Sequence, residues 1–441
     1  MRDLALVLLV AVLLPMVFKN PAIGAYLWAW FSIMNPHKLT YGFAWGLPFA
    51  QMIALTTLVA FLVTRKRQSL PLNSITLVWA SLAFWLSVTS LFALNSSDVI
   101  LARWIFVMKI HLMCMVSLML VVEEKQLRNL VLVVAYSLAF YGIKGGIFTA
   151  ATGGGYRVWG PDGMLGGNNE LAVGLVMVVP FLYWHAETEH RRWLRRGAYV
   201  SIALCVLSIL GTQSRGALLA VVGMAAFLGL KSKHPWRVSL LLLLGLPLAV
   251  MFMPDSWMQR MDTIEDFRAD DSALSRLWTW TTLWNAALDR PLVGVGFHAE
   301  TVAVFMRYAP TGGQWAIFSN FDRVWVAHSI YFQMLGEHGF VGLGLFLALW
   351  MTVWYRAGKL AVQAQAVPEL ADWLPLLLRM VQVSLIGYLI GGAFLSLANL
   401  DLPLYFMGYV VVAEIFVRRR LAAVPAMTSR PRIGQPAGMQ A

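Results

Sequence analysis

Residues 129–151 read NLVLVVAYSLAFYGIKGGIFTAA, an apolar run interrupted by one charge, Lys144, and preceded by the basic stretch Lys125–Arg128. A helix rises about 1.5 Å per residue, so a run of this length crosses a hydrocarbon core of roughly 30 Å. The run lacks the apolar–polar alternation of a lipid-facing strand. Backbone in lipid must satisfy its own hydrogen bonds, so the spanning element is a helix. Working outward, similar runs lie at 4–18, 21–35, 45–63, 74–94, 99–122, 169–184, 198–213, 216–230, 238–253, 335–355, 376–399 and 403–417. The expectation is an all-α polytopic membrane protein with about 12 transmembrane helices, the first two runs being short for a span.

Composition agrees. Of 441 residues 59% are hydrophobic and 13% charged, against about a quarter charged in a soluble domain, which excludes a water-soluble fold. The net charge of +12 does not imply nucleic acid, because Lys and Arg sit in short clusters between apolar runs. Cys114 and Cys205 fall inside apolar runs and read as small core residues, with no disulfide framework or metal set. The run Leu4–Phe18 resembles a signal-peptide core, but Lys19-Asn20-Pro21 leads straight into another apolar run, so it reads as a retained anchor.

Arg65-Lys66-Arg67, Lys125–Arg128, Arg191–Arg196, Lys231–Arg237, Arg356–Lys359 and Arg418–Arg420 share one side when the spans alternate. That side is expected to be cytoplasmic. The other side receives 95–98, the Gly-rich loop 152–168, the turn 212–216 and the long segment 254–334. The chain is thus expected to divide into N-terminal transmembrane helices over 1–253, a large loop over 254–334, C-terminal transmembrane helices over 335–420 and a disordered cytoplasmic tail over 421–441. Within the loop, Ser275–Leu288 carries Trp278, Trp280, Leu283, Trp284 and Ala287 at helical spacing, which predicts an aromatic-rich helix at the lipid–water interface, ended by Pro291.

Charges inside spans are costly and mark candidate sites. Arg103 and Lys144 fall in the outer halves of their helices and Lys109 nearer the middle, with no acid in those spans; they could line an anion site, or snorkel to headgroups. Arg215 sits in the turn Thr212–Gly216 at phosphate depth, where its planar fork matches phosphate oxygens, unless it is a plain interfacial anchor. Arg157 lies in the Gly-rich loop, a candidate for close approach to a ligand. Asn169 and Glu170 follow it, where helix capping is the simpler explanation. His328 and His338 flank a carboxylate, Glu337, at the outer mouth of a span, and either could be a general base. On one continuous helix they would stand about 15 Å apart and about 80° around the axis, so both cannot serve one reacting atom. Depth favours His338.

His328-Ser329, then nine residues from Ile330 to His338, then Gly339-Phe340-Val341-Gly342 resembles the signature of the bacterial O-antigen ligase and polymerase superfamily. Ser214-Arg215-Gly216 looks like that family's outer arginine turn. Ser275-Arg276-Leu277 followed by Pro291–Gly296 looks like its pre-histidine loop helix, and Trp28–His37 is similar to a branch of exosortase-associated O-glycosylation ligases. The resemblance implies an inverting, metal-independent glycosyltransferase of the inner membrane with a GT-C-like fold and a periplasmic active site, without cofactor. Its donor would be a glycan on undecaprenyl pyrophosphate and its acceptor lipid A–core oligosaccharide. Arg215 and Arg276 would hold the pyrophosphate, with Arg103 and Lys144 behind them. The motif favours His328 as base. No Asp-x-Asp occurs in the outer segments. The alternatives are the related polymerase, a protein O-glycosylation ligase, and a lipid-linked glycan transporter; charges gathered at one face disfavour the transporter.

Overall fold

The computed structural model describes residues 1–231, 271–318, 321 and 323–423. The expected span 238–253 and the tail beyond 423 lie outside the described residues. Among those described there are helices and no strands. In chain order the α-helices are α1 Arg2–Lys19, α2 Ala22–Met34, α3 Phe49–Val63, α4 Ser74–Ser90, α5 Ser97–Leu120, α6 Glu124–Thr152, α7 Asn168–Thr188, α8 Arg192–Gly211, α9 Arg215–Lys231, α10 Asp271–Asp289, α11 Val302–Tyr308, α12 Ile330–Gln365, α13 Pro368–Ala371, α14 Leu374–Gly392 and α15 Leu402–Ala423. Six of them, α5, α6, α7, α8, α12 and α14, are long and apolar enough to cross a membrane. Shorter apolar helices accompany them at α2, α3, α4 and 215–229.

The core is organised around α7. Its residues from Leu171 to Leu182 are buried throughout, as a helix apolar on every side must be. Helices α6, α8, α9 and α14 surround it. The α6–α8 pair is pressed close by small residues: a Cβ on Gly146 would lie 2.1 Å from the Leu204 carbonyl oxygen. Lipid offers no hydrophobic drive between helices, so such close packing supplies the association. It also sets the end of α6 beside the end of α8, where Gly211 meets Thr149. A separate small cluster joins α1, α2 and α3.

The two ends of the bundle differ in chemistry. At one end Glu414, 1% exposed, bonds the guanidiniums of Arg356 and Arg418 and the Asn73 amide. Arg420 pairs with Glu124 at 2.9 Å there, and Arg419 reaches Gln68. Two of the basic clusters read as one side of the membrane, Arg356–Lys359 and Arg418–Arg420, therefore meet, and Gln68 and Glu124 bring the chain next to two more to the same end. The other end gathers the loops: Leu94 N–H donates to the Val295 carbonyl, and Val158 N–H donates to the Gly211 carbonyl.

The continuous helix expected through His328 and His338 is corrected. Helix α12 begins at Ile330, after His328, and it breaks at Gly339, where φ is +68° and ψ −172°. Phe340 N–H turns to the Pro291 carbonyl, and the freed carbonyls of Gly336 and Glu337 accept from Val295 and Gly296. A Cβ on Gly339 would stand 2.3 Å from the Leu292 oxygen, so glycine answers both the left-handed conformation and the close approach. The Pro291–Gly296 loop thus clasps the break and binds α10 to α12.

Helix α10 departs from a purely interfacial placement. Trp278 is fully buried and packs on Phe305 and Phe318, while Trp284 is 44% exposed. Leu283, Ala286, Val295, Ala299, Val304 and Ala327 form a small core beneath it. This end of the molecule has a hydrophobic centre of its own.

Candidate active site

A cleft of about 400 Å3 opens at the loop end. The Gly-rich loop supplies Arg157, the start of α7 supplies Asn168 and Asn169, the α8–α9 turn supplies Gln213, Ser214 and Arg215, and α10 supplies Arg276. Phe394 and Leu395, just past α14, close the far side. Three guanidiniums from segments far apart in the sequence therefore share one cavity. Each is half-buried, which strengthens its field relative to one in open water.

Local geometry explains how they are held. Gln213 takes a left-handed conformation, φ +56°, which lets two helices turn within a few residues. Its side-chain oxygen accepts from Arg157 Nε at 3.3 Å, and its amide nitrogen donates to the Gly154 carbonyl at 3.2 Å. Asn168 donates from Nδ2 to the Thr212 carbonyl at 2.8 Å. The Gly-rich loop, the turn and the start of α7 are thereby tied into one wall.

His328 is not among the residues that line this cleft but stands next to them. Its N–H donates to Ser396 Oγ at 2.8 Å, next to the lining residue Leu395. On the preceding residue, Ala327 N–H donates to Glu300 Oε1 at 3.1 Å and Trp280 Nε1 donates to the Ala327 carbonyl at 2.6 Å. These contacts hold His328 in a left-handed conformation, φ +44°, which a non-glycine residue adopts only where its surroundings impose it. Burial, and then the positive charge of Arg276, lower its imidazole to about 4. At neutral pH the ring is uncharged and can accept a proton.

His338 lies elsewhere. It is 0% exposed; Thr89 Oγ1 lies 2.7 Å from its Nδ1, Glu337 Oε2 3.7 Å from its Nε2, and Phe297 packs edge-on against the ring. Glu337, 3% exposed, accepts the His298 N–H at 3.0 Å. The depth that favoured His338 in the sequence corresponds to enclosure between α4, α12 and the Pro291–Gly296 loop.

The other sequence candidates divide. Arg157, Arg215, Arg276 and Asn169 line the cleft. Lys144 lines a second cavity that also contains Arg157. Arg103 packs over the Phe106 ring and acts on His298, away from the first cleft. Glu170 folds back against Gly167, where a Cβ would meet its carboxylate at 2.0 Å, and it is not among the lining residues. Lys109 is exposed, while the neighbouring His111 accepts from Trp79 Nε1 at 2.7 Å. Gln213, Phe394 and Ser396 were not foreseen as site residues. Gln213 was within view, standing in the arginine turn; nothing local marks Phe394 or Ser396.

Two family matches cover most of the chain. Residues 200–347 match the family described as O-Antigen ligase. Residues 1–190 match a Family of unknown function (DUF5935). No curated protein matches. The first match spans Arg215, Arg276, His328 and the Gly339 break, and it supports the O-antigen ligase superfamily.

Proposed function

We propose, from the O-antigen ligase match over residues 200–347 as premise, that this membrane protein transfers a glycan from undecaprenyl pyrophosphate to lipid A–core oligosaccharide, with inversion at the anomeric carbon. In this reading the chain crosses the inner membrane about 12 times in a GT-C-like arrangement, and the loop end faces the periplasm. One observation carries it: Arg157, Arg215 and Arg276 line a single cleft, and His328 is bonded through its N–H to Ser396 beside that lining.

The chemistry follows from that arrangement. As the bond from C1 to the pyrophosphate oxygen breaks, negative charge grows on the leaving group, and guanidinium forks already in place stabilise it. The acceptor hydroxyl attacks C1 from the opposite face and releases its proton, which a neutral imidazole can take. The position of His328 beside the cleft supports it as that base, whereas His338 has no exposed surface from which to do it. The guanidiniums supply the positive charge that a divalent ion would otherwise bring, so the proposed reaction needs no metal.

The test is purified protein incubated with lipid-linked glycan and either lipid A–core or a second lipid-linked glycan. Product only with lipid A–core supports the ligase; product only with the second donor makes the protein a polymerase. Absence of any glycan transfer overturns the proposal. Transfer should persist in excess chelator, and rescue by magnesium of a chelator-inhibited enzyme would refute metal independence.

A further inference from the structure

A second cleft of about 400 Å3 lies across Arg157 from the first. Lys38, Tyr41, Tyr141, Lys144, Trp159 and Asp162 line it. All belong to residues 1–190, the region matched by the family of unknown function. Its walls are fixed by bonds already formed: Tyr141 Oη donates to the Met34 carbonyl at 2.8 Å, Asn35 Nδ2 donates to the Asp162 carbonyl at 3.0 Å, and Gly160 N–H donates to the Gly166 carbonyl at 3.1 Å. The cleft is therefore preformed.

Its lining is specific in chemistry. Trp159 is 60% exposed and Tyr41 88% exposed, the latter with the Arg2 guanidinium over one side of its ring, so aromatic surface remains open on both. Lys38 holds its ammonium 3.3 Å from the Trp45 ring centroid, and among the described residues neither Lys38 nor Lys144 forms an ion pair. Asp162 adds one carboxylate. Aromatic faces stack on the C–H faces of sugar rings, a carboxylate accepts from sugar hydroxyls, and ammonium groups pair with phosphate or carboxylate. A membrane-surface anchor would use the cations and aromatic rings but has no need of Asp162.

We propose that this second cleft holds the acceptor, an anionic oligosaccharide, and that the N-terminal region is its binding unit. The inference rests on the transfer reading for the first cleft, since only a two-substrate reaction needs two sites in contact. Arg157 lines both and is where the two substrates meet.

The experiment uses the full chain in nanodiscs of zwitterionic lipid, titrated by calorimetry with phosphorylated lipid A–core oligosaccharide freed of its acyl chains. The same oligosaccharide after phosphatase treatment and nanodiscs containing phosphatidylglycerol are the comparison arms. Phosphatase treatment should weaken binding to the wild type, and Lys144→Gln should remove that dependence. Lys144→Gln and Trp159→Ala should each raise Kd about tenfold, the size expected for one charge-assisted or stacking contact. Arg276→Gln should leave it unchanged. No binding by the wild type, unchanged affinity in both Lys144→Gln and Trp159→Ala, or complete displacement by phosphatidylglycerol would overturn the proposal, the last making the cleft a headgroup site. If oligosaccharide binding behaves as expected while no transfer is ever observed, the transfer reading fails and the carbohydrate site stands. Transfer with an acceptor KM indifferent to Lys144 and Trp159 would have the reverse meaning.

Discussion

His328 and His338 stand ten positions apart in one motif and occupy opposite environments. His328 is half-buried at the edge of a cleft, its backbone held by Ser396, with Glu300 and Trp280 fixing Ala327 before it, and Arg276 close enough to suppress its protonation. His338 is enclosed by Thr89, Phe297 and Glu337, and its backbone carbonyl accepts from Trp85 Nε1. A histidine acts on a substrate only if a substrate can reach it. The second ring serves the packing that clasps the Gly339 break, and that break in turn sets where α12 meets the loop carrying His328.

The sharpest way to break this contrast is a pair of substitutions. His328→Ala should lower glycan transfer by roughly a hundredfold or more while leaving donor binding and thermal stability nearly intact. His338→Ala should instead cost about 1–3 kcal/mol of stability, from a lost buried contact and the cavity left behind. A stably folded His338→Ala protein without transfer activity, beside an active His328→Ala protein, would reverse the assignment.

The cleft arginines come next in size. Arg215→Ala or Arg276→Ala should reduce turnover by about a hundredfold, more than either weakens donor binding, because the charge they meet grows as the bond breaks. Arg215→Lys should rescue poorly, since an ammonium cannot reproduce the bidentate fork. Equal losses in turnover and donor affinity would assign the arginines to binding alone.

Gly339→Ala probes the clasp. A methyl group 2.3 Å from the Leu292 oxygen at positive φ should destabilise the fold by about 1–3 kcal/mol through backbone strain, read as a lower midpoint of thermal unfolding in detergent. An unchanged midpoint would mean that α12 runs straight.

The smallest effect is in pH. Transfer requires His328 unprotonated, and its ring is lowered to about 4, so activity should stay level as pH falls from neutral and decline only near pH 4. Without the Arg276 cation, protonation becomes easier, so the acid limb of the residual activity in Arg276→Gln should move upward toward the ordinary histidine range. A limb that does not move would separate the two residues.

Hydropathy and charge, read along the chain, were enough for the all-helical membrane character, for most helix positions and for which loops share an end. Those properties are local: a run of apolar residues or a basic cluster is complete within a few turns of helix. Arg215 and Arg276 were legible for the same reason, each standing in its own short motif on the loop side. What only the tertiary structure decided is distance. Arg157 joins Arg215 because Gln213, in the same turn as Arg215, accepts from Arg157 Nε, and His328 stands next to the cleft because Ser396, Glu300 and Trp280 fix its stretch of chain. Gly339 shows the same limit within a single motif. A glycine near a helix start is compatible with an unbroken helix, and it becomes a break only because the Pro291 carbonyl is there to take the Phe340 N–H. Contacts between residues tens to hundreds of positions apart depend on how whole helices pack, and no local pattern encodes that packing.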